Sequence, residues 1–498
     1  MLLAAMVCFN YFGRQDTHCP TSSGGLSPNL ALPAACASAW ITFSFDTARS
    51  GVNPEETHIT PATVMSLHRF WVHTLPQVVD SAPILLPDVI LPDGSQHNVL
   101  YMTTKAGSLL AVDAGSGALL WATRPTQNDP NKMTTSSPVV DPERTFVYSY
   151  GLDGLLHRYL ATTGEEARGG GWPVLVTTMK DSEKESSALN AANDYIYITT
   201  ASFGGDAPPY QGHLIVVDLA QGTTHIFNAL CSRIQHILAP NECPDNGAGI
   251  WARVGVVIDP ITGHLFLTTG NGPYTASQGG DDWGESVLEF TQDGTRLLDS
   301  YTPNNPDDYS AQDQDLGSAA PALLPVIASS HTPFLIVQAS KEGVLRLLNR
   351  QNLSGQGGPG HMGGELQTLD APDHCPVLTQ PAVWTDPNTG SIWVFVSNGC
   401  AISGYQVLTS PEGITRLRQA WSVGASATSP IIAGGVLFAA TSLNGIIALD
   451  PNSGRQLWSS SLPTANGNMG SIHWESPIVI GGRLYCTDEN GQLSTYGL

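Results

Sequence analysis

The chain holds 498 residues, of which 41% are hydrophobic and only 13% charged, against about a quarter in typical soluble proteins. Its net charge of -22 opposes phosphate binding and excludes nucleic acid as a natural partner. The longest wholly apolar run, Met1 to Phe9, is too short to span a bilayer, and 51 Gly with 35 Pro in so lightly charged a chain point to a large, turn-rich β protein.

Met1 to Phe9 reads as the apolar part of a secretory leader with a shortened start, since no Lys or Arg precedes it. The expected division is a leader over 1–18, an extension over 19–50 and one repeat domain over 51–498. The expected location is secreted, periplasmic or extracellular, with no membrane span. Export permits disulfides. With Cys8 removed in the leader, three local pairs remain open: Cys19–Cys36, Cys231–Cys243 and Cys375–Cys400, leaving Cys486 free. Reduced thiols in a cytosolic chain are the alternative. No CxxC or CxxCH occurs, so zinc-ribbon, thioredoxin-like and covalent c-type haem readings are set aside.

Leu67 to His73 is a strand with no unit before it. Ala106 to Asp113 then alternates apolar residues, turns at Ala114-Gly115-Ser116-Gly117 and returns through Leu119 to Trp121. Weaker copies follow at Asp153–Gly164, Gln211–Phe227, Gly284–Tyr301, Glu342–Gly355 and Ala401–Trp421. The pattern returns in full from Asn444 to Trp458, and a last copy from Asn490 to Leu498 stops before its Trp strand. Asp accepts turn N–H groups, Gly takes the positive φ, and Trp covers apolar surface between sheets. A second periodic element opens apolar strands at Ser81-Ala82-Pro83, Ser136-Ser137-Pro138, Ala319-Ala320-Pro321, Thr379-Gln380-Pro381, Thr428-Ser429-Pro430 and Glu475-Ser476-Pro477. Pro is admissible at the first residue of a strand. Eight such units predict an all-β, eight-bladed β-propeller, closed by pairing the strand near Trp71 onto the incomplete last unit near Leu493. An open solenoid is the competing architecture, but its repeats are usually shorter and more regular.

The strand-Asp-turn-Gly-Trp unit resembles the tryptophan-docking repeat of quinoprotein dehydrogenases, which use pyrroloquinoline quinone (PQQ). The resemblance covers residues 40 to 498, and Trp40 through Pro54, with Asp46, Arg49, Ser50 and Gly51, is similar to the segment that leads into such propellers. It implies five site residues. Trp251 matches the aromatic floor under the cofactor. Asn271, in Thr269-Gly270-Asn271-Gly272, matches a calcium-binding Asn. Asp206 falls where the family carries a calcium-binding Glu. Asp315, in Asp313-Gln314-Asp315, falls at the catalytic Asp and also beside the metal, and Lys341 where a cation touches the quinone oxygens. Ser186 is similar to a hydroxyl that contacts the cofactor. Trp474, in His473-Trp474-Glu475, is expected near the channel mouth as a second contact.

These residue types suit the chemistry. An aromatic floor stacks on a flat quinone. Calcium takes oxygen ligands and polarises a carbonyl. A carboxylate removes the alcohol proton, and Lys341 stabilises developing negative charge. Each residue also has a structural role open to it, as blade packing, turn or loop acid. The sequence departs from the family in lacking adjacent cysteines between Arg124 and Thr135, in having no clear counterpart to the arginine that usually follows them, and in the shorter Asp206. The implied function is PQQ- and calcium-dependent oxidation of an alcohol or sugar hydroxyl, with a small-molecule alcohol or carbohydrate as partner and a separate electron acceptor. The alternative is a non-catalytic propeller that binds carbohydrate or protein. Gly355–Gly360 matches GxGxxG, but Pro359 and the lack of a following helix make it a loop. No GxSxG, HExxH or Walker A motif occurs.

Overall fold

The computed structural model describes residues 39–443, 445–467 and 469–498. Cys8, Cys19 and Cys36 lie outside them, as does all of the expected leader. Eight sheets of four antiparallel strands are arranged as the blades of a propeller, one of them extended by a fifth strand. Blade 1 shows the plan: Ile84–Ile90, Gln96–Thr103, Leu109–Asp113 and Leu119–Ala122, hydrogen-bonded in that order. Among the described residues the one α-helix is Pro306–Ala311.

The repeat explains itself in the turns. In blade 1 the Asp113 carboxylate accepts the Ser116 N–H at 2.6 Å, and Gly117 bonds back to the Asp113 carbonyl with φ +76°. An L-residue avoids that φ, so Gly is required there. The Trp of one blade then lies over the turn glycine of the next. Trp121 covers Gly164, and Trp421 covers Gly454 while donating Nε1 to the Pro451 carbonyl at 2.9 Å. A Cβ at either glycine would overlap the indole.

Closure uses the same contact. Strand His68–Thr74 pairs antiparallel with Gln492–Gly497, with His73 opposite Leu493, as expected from the incomplete last unit. Trp71 then donates Nε1 to the Gly115 carbonyl of blade 1 at 2.9 Å, and His73 packs over Gly117. The ring is therefore sealed by the blade-to-blade device used elsewhere.

The first strand of each blade faces the axis. The tripeptides ending in Pro stand at the head of these strands, for example before Val139–Val140, Ala382–Thr385 and Ile431–Ala433. Their hydroxyls link neighbours: Ser137 Oγ accepts the Ala82 N–H at 2.9 Å, and Ser429 Oγ accepts the Gln380 N–H at 3.0 Å.

The expected boundary at residue 50 leaves Trp40 to Ser50 outside the repeat domain, yet these residues are built into the ring. Trp40 bridges Leu85; the carbonyls of Ile41, Thr47, Ser50 and Gly51 accept N–H groups from Val140, Ile258, Val383 and Ile432; and Val52–Asn53 adds a parallel strand to blade 7. Arg49 is fully buried and donates to Thr42 Oγ1, the Phe43 carbonyl and the Leu189 carbonyl at 2.6–2.9 Å. Burial lowers its pKa only to about 9, so it stays charged. The short inner strands leave unpaired backbone groups at the axis, and an irregular segment satisfies them. The channel is thereby plugged below the tripeptide ring.

Cys231–Cys243 and Cys375–Cys400 are disulfides, and Cys486 is a buried free thiol.

Candidate functional site

In a four-stranded meander the loops after strand two and after strand four emerge on one face. Asp206, Asn271 and Lys341 sit in loops after second strands, of blades 3, 4 and 5. Ser186, Trp251, Asp315 and Trp474 sit in the links that lead into blades 3, 4, 5 and 8. All seven expected residues therefore stand on the same face, opposite the plug.

Five of them meet. Asn271 Nδ2 donates to Asp206 Oδ2 at 2.9 Å and to Asp313 Oδ1 at 3.0 Å, while its backbone N–H donates to Asp315 Oδ1 at 3.0 Å. Trp251 Nε1 points at the same Asp315 oxygen, 3.4 Å away. Lys341 Nζ bonds Asp313 and reaches Asp315 Oδ2 at 3.2 Å. One oxygen from each of Asp206, Asp313 and Asp315 falls within 4.8 Å of the others. Tyr210 Oη donates to Asp206 Oδ1 at 2.5 Å and fixes the shorter acid in place.

Asp315 is buried, which raises its pKa, and the Asp206 charge adds to this. The Asn271 N–H and Lys341 oppose the rise and leave it at about 6. Burial likewise opposes the Lys341 charge, yet its contacts with Asp313 and Asp315 carry its pKa above the ordinary value. Behind the acids Glu285 is wholly buried and accepts the Leu316 N–H at 2.7 Å, which anchors the Asp315 loop. Burial pushes its pKa up to about 8. Gly270 lies beneath: a Cβ there would overlap Asp315 Oδ1 and come within 3.0 Å of Trp251 Nε1.

The residues fit a hard cation. Asn271 Oδ1 is buried and has no hydrogen-bond partner, which is costly unless something else meets it. The Asn271 amide, with its Nδ2 toward Asp206 and Asp313, stands among three carboxylates and one ammonium, a group rich in oxygen donors with net negative charge.

Ser186 and Trp474 join a neighbouring group and make no hydrogen bond to the acids. Arg253, two residues beyond Trp251, is buried and donates to the carbonyls of Thr135 (2.9 Å), Ser186 (3.2 Å) and Trp474 (3.3 Å), with its guanidinium 5.7 Å from the Trp474 ring centroid. The Ser186 hydroxyl makes no hydrogen bond here; its carbonyl does the bonding. Lys184 is buried close by and bonds the Met133 carbonyl at 2.7 Å, with its pKa lowered by burial to about 8. Buried cations of this kind suit carboxylate groups on a ligand.

Sequence reasoning quoted Asp313 without giving it a role, and missed Tyr210, Glu285, Arg253 and Lys184. Asp313 was within sight, two positions from Asp315. Glu285, Arg253 and Lys184 become relevant only through contacts between blades, which nothing local marks; Tyr210 lies in the same loop as Asp206, four positions on, with no motif to single it out.

A cleft of about 180 Å³ opens away from the acids, between blades 6, 7 and 8, and is lined by His473 and Trp474. That is smaller than most small-molecule sites.

The architecture and the face that carries these side chains define the class: an eight-bladed propeller of PQQ-like repeats. A family profile described as outer membrane protein assembly factor BamB, the PQQ-like repeat profile, matches residues 69–226 and 390–497, more than half of the chain. The chain belongs to that family. No curated protein matches the sequence. Solved structures do. A quinohemoprotein alcohol dehydrogenase from Pseudomonas putida is 16% identical with a TM-score of 0.65, over 92% of this chain and 80% of that one. A europium-containing methanol dehydrogenase is 14% identical with a TM-score of 0.67, over 92% and 98%. BamB from Moraxella catarrhalis is 11% identical with a TM-score of 0.51, over 87% and 98%. At these identities the likeness establishes the fold.

Proposed function

We propose that the protein is an exported dehydrogenase that oxidises an alcohol or sugar hydroxyl with PQQ and a bound hard cation, and passes electrons to a separate acceptor. The observation that carries this reading is the convergence of Asp206, Asp313, Asp315 and Lys341 on Asn271, whose amide nitrogen bonds two of the acids and whose carbonyl oxygen has no hydrogen-bond partner. Calcium suits the site, and so does a trivalent lanthanide, since three carboxylates face it.

Asp206, Asn271 and the Asp313–Asp315 pair hold the cation. Trp251 would floor the bound quinone, and the buried charges of Arg253 and Lys184 would attract its carboxylates. When bound, PQQ supplies the two-electron oxidant that accepts hydride from the substrate carbon. Asp315 would take the hydroxyl proton as general base. Lys341 neutralises negative charge that builds on the quinone oxygen. The two disulfides and the family support export.

The family description and the BamB neighbour support a second reading, a non-catalytic propeller that binds a carbohydrate or protein. One experiment separates the two. The protein is titrated with europium(III), followed by luminescence, and with calcium and PQQ, followed by absorbance, then assayed by dye reduction with an alcohol panel. The dehydrogenase shows saturable cation and PQQ binding. In it Asp206→Ala weakens both, while Asp315→Ala lowers turnover by about a hundredfold or more even at saturating cation and PQQ. Absence of saturable PQQ binding leaves the scaffold reading.

A further inference from the structure

The cleft between blades 6, 7 and 8 has its own chemistry. Its walls are mainly apolar, formed by Pro376, Leu378, Ala427, Ile472 and the Trp474 indole. Asn398 also lines it, but its amide is committed to bracing the wall. It donates to the carbonyls of Pro372 and Cys375 at 2.8 and 3.0 Å, and accepts the N–H groups of Cys400 and Ala401 at 2.9 Å. The Cys375–Cys400 disulfide joins the same two loops.

His473 supplies the polar function. Its Nδ1 lies 2.7 Å from Asp80 Oδ2, and a carboxylate only accepts, so the ring carries its proton on Nδ1. Asp80 is fully buried and held from other sides by the Trp474 N–H at 3.0 Å and by Lys105 Nζ at 3.5 Å, itself paired with Glu489 at 2.7 Å. The His473 backbone is pinned too, its N–H donating to the buried Glu475 at 2.6 Å. The ring is thus fixed in position and tautomer. With Nδ1 engaged by Asp80 and the side chain 44% exposed on the cleft wall, Nε2 of the neutral ring is left as its hydrogen-bond acceptor.

We propose that this cleft binds a small, largely apolar molecule that carries a hydroxyl group, and that the hydroxyl donates to Nε2 of His473. The volume sets the size. An apolar cavity of about 150 Å³ holds a benzene ring, so about 180 Å³ takes one ring and a hydroxymethyl group. Of the hydroxyl residues in the lining, Thr379 and Thr428 commit theirs to the Ser397 and Glu475 carbonyls, which leaves Ser426 and Ser442 too few to meet a sugar, whose further hydroxyls would lose water without finding partners. The Trp474 face supplies a stacking surface for the ring.

The test is run on the full chain without added cation or quinone, so its outcome is independent of the carboxylate site. Benzyl alcohol, benzyl methyl ether and glucose are titrated by ligand-observed saturation-transfer NMR. The ether keeps the ring and the oxygen but has no proton to donate. The expected result is saturable binding of benzyl alcohol about fivefold tighter than of the ether, with no saturable binding of glucose. His473→Phe, a change at a half-exposed ring, brings alcohol and ether to the same affinity. The proposal is overturned if benzyl alcohol fails to saturate, if the ether binds equally well, if glucose binds instead, or if the preference survives in His473→Phe. The comparison of alcohol with ether on the unaltered protein stands even where the variant does not fold.

Discussion

Gly270 leaves room for an aspartate oxygen where any side chain would collide with it. Gly270→Ala should displace Asp315 and Trp251 together and weaken europium binding by about tenfold or more, with the β-sheet circular dichroism unchanged. An unaltered affinity would show that the acids do not act as a set. Glu475 gives a different test. It is wholly buried, and burial with the nearby Asp80 charge pushes its pKa up to about 8. A carboxyl whose pKa is higher folded than unfolded favours the fold fully below its unfolded pKa of about 4.5, and that stability is lost as pH rises through 8. Glu475→Gln keeps an acceptor for the His473 N–H but cannot ionise. It should be the more stable protein at pH 8–9, on the order of 1–3 kcal/mol, and should lose the decline seen in urea midpoints between pH 5 and 8. Equal pH profiles would place the Glu475 proton elsewhere. At this scale the sequence showed the residues that belong to a motif, such as Asn271 in its Gly-Asn-Gly turn. It could not show Arg253 reaching Trp474, because the partners are in different blades, nor Tyr210 steadying Asp206 four positions away, because that contact depends on how their shared loop folds.

The blade is a legible element. Alternation, an Asp-x-x-x-Gly turn and a Trp fix its strands, and the Pro tripeptides mark where inner strands begin. What the tripeptide hydroxyls do was not legible, since Ser429 and Gln380 are 49 positions apart. Ser429→Ala leaves the Gln380 N–H buried and unpaired, and should cost about 1–2 kcal/mol in chemical denaturation. The Cys375–Cys400 bond spans 25 positions, and replacing both by Ser should cost about 2–4 kcal/mol. Reductant should lower the melting temperature of the parent by more than that of the double variant, which retains only Cys231–Cys243 among the described pairs. An equal drop in both would assign the stabilisation to the other bond.

The ring as a whole depends on one strand contributed from the beginning of the chain. His68–Thr74 covers the edge of blade 8 and carries Trp71 onto blade 1. A chain beginning after Thr74 would expose that strand edge, lose the plug from Trp40 to Asn53 and open the seam between blades 8 and 1. It should be recovered as aggregate on size exclusion, with no cooperative melt in the range of the parent. A monomeric, cooperatively melting product would show that the ring closes without its strand.

Local order settled much here. Turn spacing, the position of Trp and the mismatch between the first and last units were enough for an eight-bladed ring closed by its own ends, because each blade is held by contacts a few tens of residues apart and repeats the same solution. The tertiary structure decided what the axis holds. It brought Trp40 to Asn53 beneath the inner strands, gathered Asp313 into the acid cluster, buried Arg253 and Lys184, and set the Asp80–His473 pair on a cleft between blades 6, 7 and 8. Asp80 and His473 are 393 positions apart, and no local rule links them. They meet because closing a ring carries its last blade back to its first.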